Sequence, residues 1–205
     1  MSVVAIVEYG MSNLDSVTRA IEYCGATPLV TNQPRDLAKA THIVLPGVGA
    51  FNVGMANLRA RGFEEALNEH VIHKAIPFLG ICLGMHFLAN KGHEMMETPG
   101  LGWIEGEVLR LKSSTSEEKV PHIGWNGIDF AKPSPLLAQI ESGKDFYFVH
   151  SFHFACDNPD HILTTTPYCG KFVSAVNRDN IFGVQFHPEK SQKVGFQMIR
   201  NFLAL

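Results

Sequence analysis

The sequence has no excess of basic residues, no long apolar run and few charged residues. Its 205 residues include 17 Lys and Arg against 20 Asp and Glu, which gives a net charge of −3. This balance argues against a protein that binds nucleic acid through a broad electrostatic surface. No apolar stretch approaches the ~20 residues that a membrane-spanning helix needs, and the N-terminus lacks the basic region of a signal peptide. We therefore predict a cytoplasmic protein with no nucleic-acid and no membrane partner.

Cysteine is also scarce, and its spacing fits neither a disulfide framework nor a metal site. The four cysteines are Cys24, Cys82, Cys156 and Cys169. They form no Cys-x-x-Cys pair and are widely scattered, so burial as a small apolar residue is the expectation for all but Cys82. The histidines, including His150 and His153, do not reach metal-ligand spacing with a third donor. A Walker lysine and a Gly-x-Gly-x-x-Gly loop are absent as well. We predict no metal and no other cofactor.

What the first half of the sequence does have is a regular alternation of apolar runs and helical patterns. Hydrophobic residues make up 45% of the chain, which is enough for a full core. Strands are predicted over residues 3–9, 27–31, 42–45 and 76–81. Helices are predicted after Ser12 or Asn13, near Asp36, over residues 52–74 with a break at Gly62, and from residues 83–88 onward. This order predicts a parallel sheet with helices on both faces.

The second half changes character after residue 106, with short strand-like runs between Pro and Gly turns. These runs cover residues 107–111, 146–150, 172–176 and 181–186, with a brief helix over 136–140 and an exposed polar loop over 113–119. Because no flexible linker divides the halves, we predict an antiparallel or mixed extension of the same sheet, and a single domain over residues 1–205. Ser191 can cap a final helix that buries Val194, Met198 and Phe202.

A candidate nucleophile lies between a predicted strand and the helix after it, in the segment Gly80-Ile81-Cys82-Leu83-Gly84. Glycine on both sides permits a sharp turn that would present the Cys82 side chain at the carboxyl end of the sheet. The N-terminus of the following helix favours a thiolate, and the Leu83 amide would point at an oxyanion formed on an attacked carbonyl. Taken alone, the segment fits a tightly packed turn with an inert thiol equally well.

A second segment supplies the partners that such a thiol needs, in the order Gly183-Val184-Gln185-Phe186-His187-Pro188-Glu189. His187 and Glu189 are two residues apart, so in an extended chain both side chains leave the same face. The imidazole would take the proton of Cys82 and later return one to the leaving amine, and the carboxylate would fix its tautomer. Without Cys82, the same residues would be an ordinary surface turn.

Together these segments resemble those of the class I (triad) glutamine amidotransferases, through Gly-Ile-Cys-Leu-Gly-Met at 80–85 and Gln-Phe-His-Pro-Glu-Lys-Ser at 185–191. Residues 45–51, 120–126 and 147–151 are similar to the glutaminase subunits of imidazole glycerol phosphate synthase. The five segments occur in the expected order over nearly the whole chain. The resemblance implies a flavodoxin-like three-layer α/β sandwich, with a mostly parallel central sheet and an antiparallel extension in the second half.

The resemblance also implies roles for individual residues. Cys82 attacks the carboxamide of L-glutamine to form a glutamyl thioester, and His187 and Glu189 complete the catalytic triad. The oxyanion is held by the amide of Leu83 and, after a change in the Gly47–Val48 peptide, by that of Val48. Residues implied at the substrate are Gly47, Gly49, His86, Glu94, Ser151 and Phe152.

The partner implied by the resemblance is a (β/α)8-barrel cyclase, which would receive the ammonia within a heterodimer and use it in histidine biosynthesis. Residues implied at this interface are Pro121, Trp125 and Lys190. Three other functions stay open: a paralogous glutaminase that supplies ammonia for amidation of a surface sugar, a free-standing cysteine hydrolase on the same fold, and a non-catalytic regulatory module. The triad argues against the last, and the segments around Trp125 and Lys190 argue against the free-standing hydrolase.

The sequence departs from the family at three positions. The family usually has Asp where Glu8 stands, Gly where Ser12 stands and Gln where His86 stands. His86 lies one helical turn after Cys82, and a local hydrogen bond and a contact with glutamine are equally compatible with that place.

Overall fold

The computed structural model describes residues 2–205. Its strands are β1 (Val3–Val7), β2 (Thr27–Thr31), β3 (His42–Gly47), β4 (Phe78–Cys82), β5 (Lys91–Gly92), β6 (Thr98–Pro99), β7 (Gly106–Arg110), β8 (His122–Gly127), β9 (Asp129–Phe130), β10 (Asp145–His150), β11 (Phe152–Cys156), β12 (Ile162–Thr166), β13 (Phe172–Arg178) and β14 (Ile181–Val184). Its α-helices are α1 (Leu14–Tyr23), α2 (Phe51–Ala60), α3 (Phe63–Leu67), α4 (Leu83–His86) and α5 (Gln192–Leu203). A π-helical turn over Asn68–His73 continues α3, and 3₁₀ turns cover Pro34–Lys39, Pro135–Leu137, Pro159–His161 and Pro188–Lys190.

The central sheet is parallel on one side and antiparallel on the other. Strands β2, β1, β3, β4 and β14 lie side by side in that order and run parallel. β13 then pairs antiparallel with β14, and β11 and β7 continue the sheet in antiparallel pairs. The sheet is therefore mostly parallel in the first half of the chain, with an antiparallel extension from the second half, as predicted.

Both faces of the parallel part are covered, because its strands are apolar on both sides. In β1, Val4 and Ile6 belong to one buried cluster, whereas Ala5 and Val7 belong to another. Helices α1 and α5 contribute to the first cluster and α2 and α3 to the second. The result is a three-layer sandwich, since a strand buried on both faces needs a helical layer on each. The predicted break at Gly62 is confirmed, because this residue separates α2 from α3 in a left-handed conformation with φ 73°.

The second half contains strands that the sequence analysis missed or misplaced. The run at 146–150 belongs to β10, which pairs with β8 in a separate two-stranded ribbon rather than in the main sheet. β8, β9, β11 and β12 were not predicted, and β8 carries two glycines, which have low strand propensity. The predicted strand at 181–186 ends earlier, at Val184, and the brief helix predicted at 136–140 is a 3₁₀ turn over Pro135–Leu137.

Two predictions about helix ends need correction. The helix after Cys82 covers only Leu83–His86. Ser191 precedes α5 but does not cap it with its side chain. Its hydroxyl instead donates to the carbonyl oxygen of His187 at 2.6 Å and accepts from the Tyr147 amide at 3.0 Å, so it ties the segment after β14 to β10.

Among residues 2–205, none of the helices combines the length and apolar character that a membrane crossing requires.

Candidate active site

Cys82 lies at the carboxyl end of β4, where the chain turns into α4. Its backbone has φ 54° and ψ −108°, a conformation that residues other than glycine rarely adopt. The turn requires close contact between backbone segments. A Cβ atom on Gly80 would collide with the carbonyl group of Gly84, and one on Gly84 would collide with that of Leu45. The two glycines therefore permit the strained elbow that carries the thiol.

His187 and Glu189 follow β14, which is the parallel neighbour of β4. Because the carboxyl ends of parallel strands meet at one edge of the sheet, the two residues lie at the same edge as Cys82. Nδ1 of His187 and Oε1 of Glu189 are 2.8 Å apart, and the two side chains are only 4% and 2% exposed. The His187 amide donates to the carbonyl oxygen of Tyr147 at 2.9 Å. Both the backbone and the ring of His187 are thus held in place.

The electrostatics of His187 favour a charged ring. Burial lowers the pKa of His187, but the neighbouring Cys82 sulfur and Glu189 carboxylate outweigh it, so the net effect is a pKa above the ordinary value. Its Nε2 is buried and has no hydrogen-bond partner among residues 2–205. This nitrogen is therefore free to exchange a proton with the Cys82 thiol or with a bound substrate.

Cys82 and His187 line a cavity of about 400 Å³, a size that suits a small molecule. Other residues on its wall are Val48, Gly49, Leu83, His86, Glu94, Pro121, Ser151 and Phe152. Gly47 is not part of this lining. It ends β3 beside Cys82, and a Cβ atom there would collide with the hydroxyl of Tyr9.

The two backbone amides that the resemblance implies in the oxyanion site differ in their hydrogen bonding. Leu83 is the first residue of α4, so its amide belongs to the N-terminus of that helix. The Val48 amide, in contrast, donates to the carbonyl oxygen of Met11 at 2.9 Å. The peptide between Gly47 and Val48 would have to rotate before this N–H group could reach an oxyanion in the cavity.

Glu94 has a structural task beside the role implied by the resemblance. Its Oε2 accepts from the Phe51 amide at 2.9 Å, which satisfies the N-terminus of α2 where Ala50 offers no side-chain cap. A carboxylate is favourable there because it complements the helix dipole. The same side chain therefore anchors α2 and lines the cavity.

His86 makes a buried hydrogen bond that joins it to the nucleophile. Its Nε2 lies 2.7 Å from Oε1 of Gln185, and Nε2 of Gln185 lies 3.7 Å from the Cys82 sulfur. Burial lowers the pKa of His86 to about 4, so its ring is neutral near pH 7. Sequence reasoning named His86 but missed Gln185, for which the available signal was a polar residue next to a buried strand.

A second chain of hydrogen bonds, partly buried and not predicted, leads from the ribbon to the cavity wall. Nδ1 of His150 donates to the carbonyl oxygen of Phe152 at 2.8 Å, and its Nε2 lies 3.1 Å from Nδ1 of His122. Nε2 of His122 in turn lies 3.4 Å from Nδ2 of Asn126. From the sequence, His150 is not expected to bind a metal, and no other role is predicted for it. In the part of the chain that the structure describes, no cluster of three potential ligands could hold a metal ion.

The outer face of the ribbon is apolar and exposed. Ile123 is 61% exposed and Trp125 48% exposed, and their cross-strand partners are Val149 and Tyr147. Pro121 directly precedes β8 and lines the cavity. Lys190 directly follows Glu189, and its side chain makes no ion pair within the described part of the chain.

Two of the unusual residues have local partners. Glu8 accepts from the Gly10 amide at 2.7 Å and forms an ion pair with Arg61 at 3.3 Å. The Ser12 hydroxyl donates to the carbonyl oxygen of Pro46 at 3.4 Å, next to the Gly47–Val48 peptide.

A cysteine on a strand-to-helix elbow, beside a buried imidazole–carboxylate pair and a cavity, defines an α/β enzyme of the cysteine-triad class. Residues 5–205 match the family model described as glutamine amidotransferase class-I. The chain belongs to this family. Relatives include imidazole glycerol phosphate synthase subunit HisH 2 of Methanococcus maripaludis, 44% identical with 98% of each chain covered, and subunit HisH 1 of Campylobacter jejuni strain RM1221, 43% identical over 98% of this chain and 100% of the relative.

Solved structures give the same fold at low sequence identity. PurLQS from Thermotoga maritima aligns with a TM-score of 0.76 and 19% identity over 100% of this chain and 99% of that chain. The glutaminase domain of CTPS from Trypanosoma brucei aligns with a TM-score of 0.68 and 18% identity over 100% of this chain and 93% of that chain.

Proposed function

We propose that this protein hydrolyses L-glutamine to glutamate and ammonia, and that it is the glutaminase subunit of an imidazole glycerol phosphate synthase in histidine biosynthesis. The observation that carries the chemistry is the buried His187–Glu189 pair next to Cys82 in one cavity. The pathway is supported by relatives at 43–45% identity, which are named as subunits of that synthase. These names do not favour the sugar-amidating alternative.

In the proposed reaction, the thiolate of Cys82 attacks the carboxamide carbon of glutamine. The amide of Leu83 stabilises the negative charge that forms on the carbonyl oxygen, and the His187 imidazolium gives its proton to the leaving nitrogen, so ammonia departs and a thioester remains. Water then attacks the thioester while His187 takes one of its protons. Glutamate leaves and the Cys82 thiolate returns. Glu189 holds the ring and stabilises its charged form in both steps.

For the substrate, we propose that Glu94 receives the α-ammonium group and that the backbone at Ser151 and Phe152 holds the α-carboxylate. Gly49 and Val48 would cover the carboxamide from the other side. All five residues line the cavity, so binding of glutamine requires no large movement except at the Gly47–Val48 peptide.

The proposed partner is a (β/α)8-barrel cyclase that docks on the apolar face around Trp125, with Pro121 and Lys190 at the edge of the contact. A closed path between the two proteins would keep ammonia unprotonated and nucleophilic. We further propose one domain over residues 1–205 and a place in the cytoplasm, where a reducing environment suits four free cysteines.

The proposal is tested by Cys82→Ala, assayed with the cyclase and its ribulosyl nucleotide substrate. Hydrolysis of glutamine should fall by ~10³-fold or more, whereas product formation from added ammonia should persist because that chemistry belongs to the partner. Cys156→Ala is the control, since this cysteine lies away from the cavity and should leave the rate unchanged. Glutaminase activity that survives in Cys82→Ala contradicts the assignment.

A further inference from the structure

One polar side chain outside the triad reaches the nucleophile. Nε2 of Gln185 lies 3.7 Å from the sulfur of Cys82, within the reach of an N–H···S hydrogen bond. The Gln185 side chain is fully buried, and its backbone amide donates to the carbonyl oxygen of Ser174 at 2.9 Å. Gln185 directly follows β14 and stands two residues before His187, so both residues belong to the segment that leaves the sheet at the end where Cys82 lies. The sulfur therefore has an amide and an imidazole as neighbours.

The orientation of this amide is fixed by His86. Oε1 of Gln185 lies 2.7 Å from Nε2 of His86, and a carbonyl oxygen can only accept, so this nitrogen carries the proton. With the oxygen bound in this way, the NH₂ group of Gln185 must face Cys82. In the reverse orientation the oxygen would face the sulfur and repel a thiolate. His86 is buried and neutral, which lets it serve as a donor without adding a second positive charge beside His187.

We propose that Gln185 stabilises the Cys82 thiolate by donating a hydrogen bond to it, and that His86 is the positioning residue that holds the Gln185 amide in the donating orientation. This inference rests on the proposed function, because it takes Cys82 as the nucleophile. It also gives the unusual histidine a task that does not require contact with glutamine. Hydrogen bonds to a charged acceptor are stronger than neutral ones, so the arrangement selectively favours the thiolate over the thiol.

The test is the pH dependence of alkylation of Cys82 by iodoacetamide, followed at the Cys82 peptide by mass spectrometry. Gln185→Met removes the donor at similar volume, and the midpoint of the pH profile should move up by about one pH unit. His86→Phe keeps a ring but frees the amide to turn, so the midpoint should move in the same direction by a smaller amount. The double variant should match Gln185→Met, because His86 acts only through Gln185.

His42→Phe is the matched control. His42 is also buried, but it lies at the start of β3, whereas the residue that pairs with Cys82 lies at the end of that strand. In His42→Phe, the midpoint for alkylation of Cys82 should equal that of the unmodified protein. An unchanged midpoint in Gln185→Met, with Cys82 still alkylated, overturns the proposal. Equal and additive shifts from the two single variants overturn the role of His86.

Failure of the inference and failure of the proposed function are distinguishable. Alkylation reports on the Cys82 sulfur whether or not glutamine is a substrate, while the Cys82→Ala assay reports on glutamine alone. A conservative variant gives a second test. His86→Gln has a side chain with an N–H donor, so its midpoint should lie closer to that of the unmodified protein than the midpoint of His86→Phe does.

Discussion

At the scale of single residues, Cys82 combines the proposed role of nucleophile with a strained backbone. Its positive φ places the Cβ atom in a conformation that costs ~1–3 kcal/mol. Glycine would lose this strain, because it has no Cβ. The elbow therefore stores energy in the one residue whose side chain performs the proposed chemistry.

Because of this strain, we expect an unusual order of stability between two variants of Cys82. Cys82→Gly should be more stable than Cys82→Ala by about 1 kcal/mol, although glycine ordinarily destabilises by ~0.4–1 kcal/mol relative to alanine. Urea unfolding of the two variants measures the difference. As a control, Ala56→Gly on the exposed side of α2 should show the ordinary loss of about 1 kcal/mol. If glycine were less stable than alanine by the same amount at positions 82 and 56, the backbone at Cys82 would not be strained.

At the scale of elements, the Gly47–Val48 peptide at the end of β3 sets the direction of the Val48 amide, which we propose as the second oxyanion donor. Since the Val48 amide is bound to Met11, the isolated protein should be a poor glutaminase, and the cyclase should raise its rate by ~10²–10³-fold if binding turns this peptide. Val48→Pro has no amide hydrogen and should lose most of the stimulation, whereas Val48→Ala should keep it. Steady-state glutaminase rates with and without cyclase decide the matter, and full activity in the isolated protein would refute the gating.

Elements also explain which parts of the molecule could be predicted from the sequence. Strands β1, β3 and β4 are buried on both faces, so they appear in the sequence as continuous apolar runs. The edge strand β2 is partly exposed, and its predicted bounds agree with the observed ones. β8 has no such pattern, because its two glycines and its polar residues acquire strand structure only by pairing with β10. Its place in the ribbon depends on tertiary packing.

In the candidate active site, too, some features could be predicted from the sequence and others depend on tertiary packing. The positions of Cys82 and His187 at one sheet edge follow from local turn chemistry and from two strands that end together. The His86–Gln185 contact joins residues 99 positions apart, and no local pattern specifies it. The orientation of the Val48 amide is likewise a property of one peptide plane, which the identity of its residues does not determine.

At the scale of the whole molecule, three buried histidines make the fold sensitive to acid. Burial lowers the pKa of His86 and His122 to about 4 and that of His150 to about 3. When the pH lies below the ordinary histidine pKa of ~6.5 but above the native pKa values, these groups bind protons in the unfolded state and not in the native state. The stability of the native state therefore falls as the pH falls. The raised pKa of His187 does not oppose this trend, because His187 is protonated in both states in that range.

The free energy of unfolding should therefore decrease steadily between pH 6.5 and pH 4. His150→Gln removes one of the three groups and should flatten the slope by about 1.4 kcal/mol per pH unit. His73→Gln, on an exposed histidine, should leave the slope unchanged. Urea unfolding at several pH values provides the measurement, and an identical slope in His150→Gln would contradict the assignment.

The exposed apolar face of the ribbon is the surface that we expect to bind the cyclase. Trp125→Ala should weaken the complex with the cyclase by ~2 kcal/mol, since a large aromatic anchor of this kind often dominates an interface. Tyr23→Ala is the control, because Tyr23 is also an exposed aromatic residue but lies on α1. Titration calorimetry measures both affinities. Equal affinity of Trp125→Ala and the unmodified protein would place the cyclase elsewhere on the surface.

The hydrogen bond between Val48 and Met11 also bears on how a cell can supply the two proteins. Glutamine is a common nitrogen store, and a glutaminase active on its own would drain it whenever that protein was made in excess. If the held peptide keeps the unaccompanied glutaminase idle, surplus copies consume no glutamine. The two proteins would then not have to be made in equal amounts, because glutaminase without a bound cyclase would consume no glutamine.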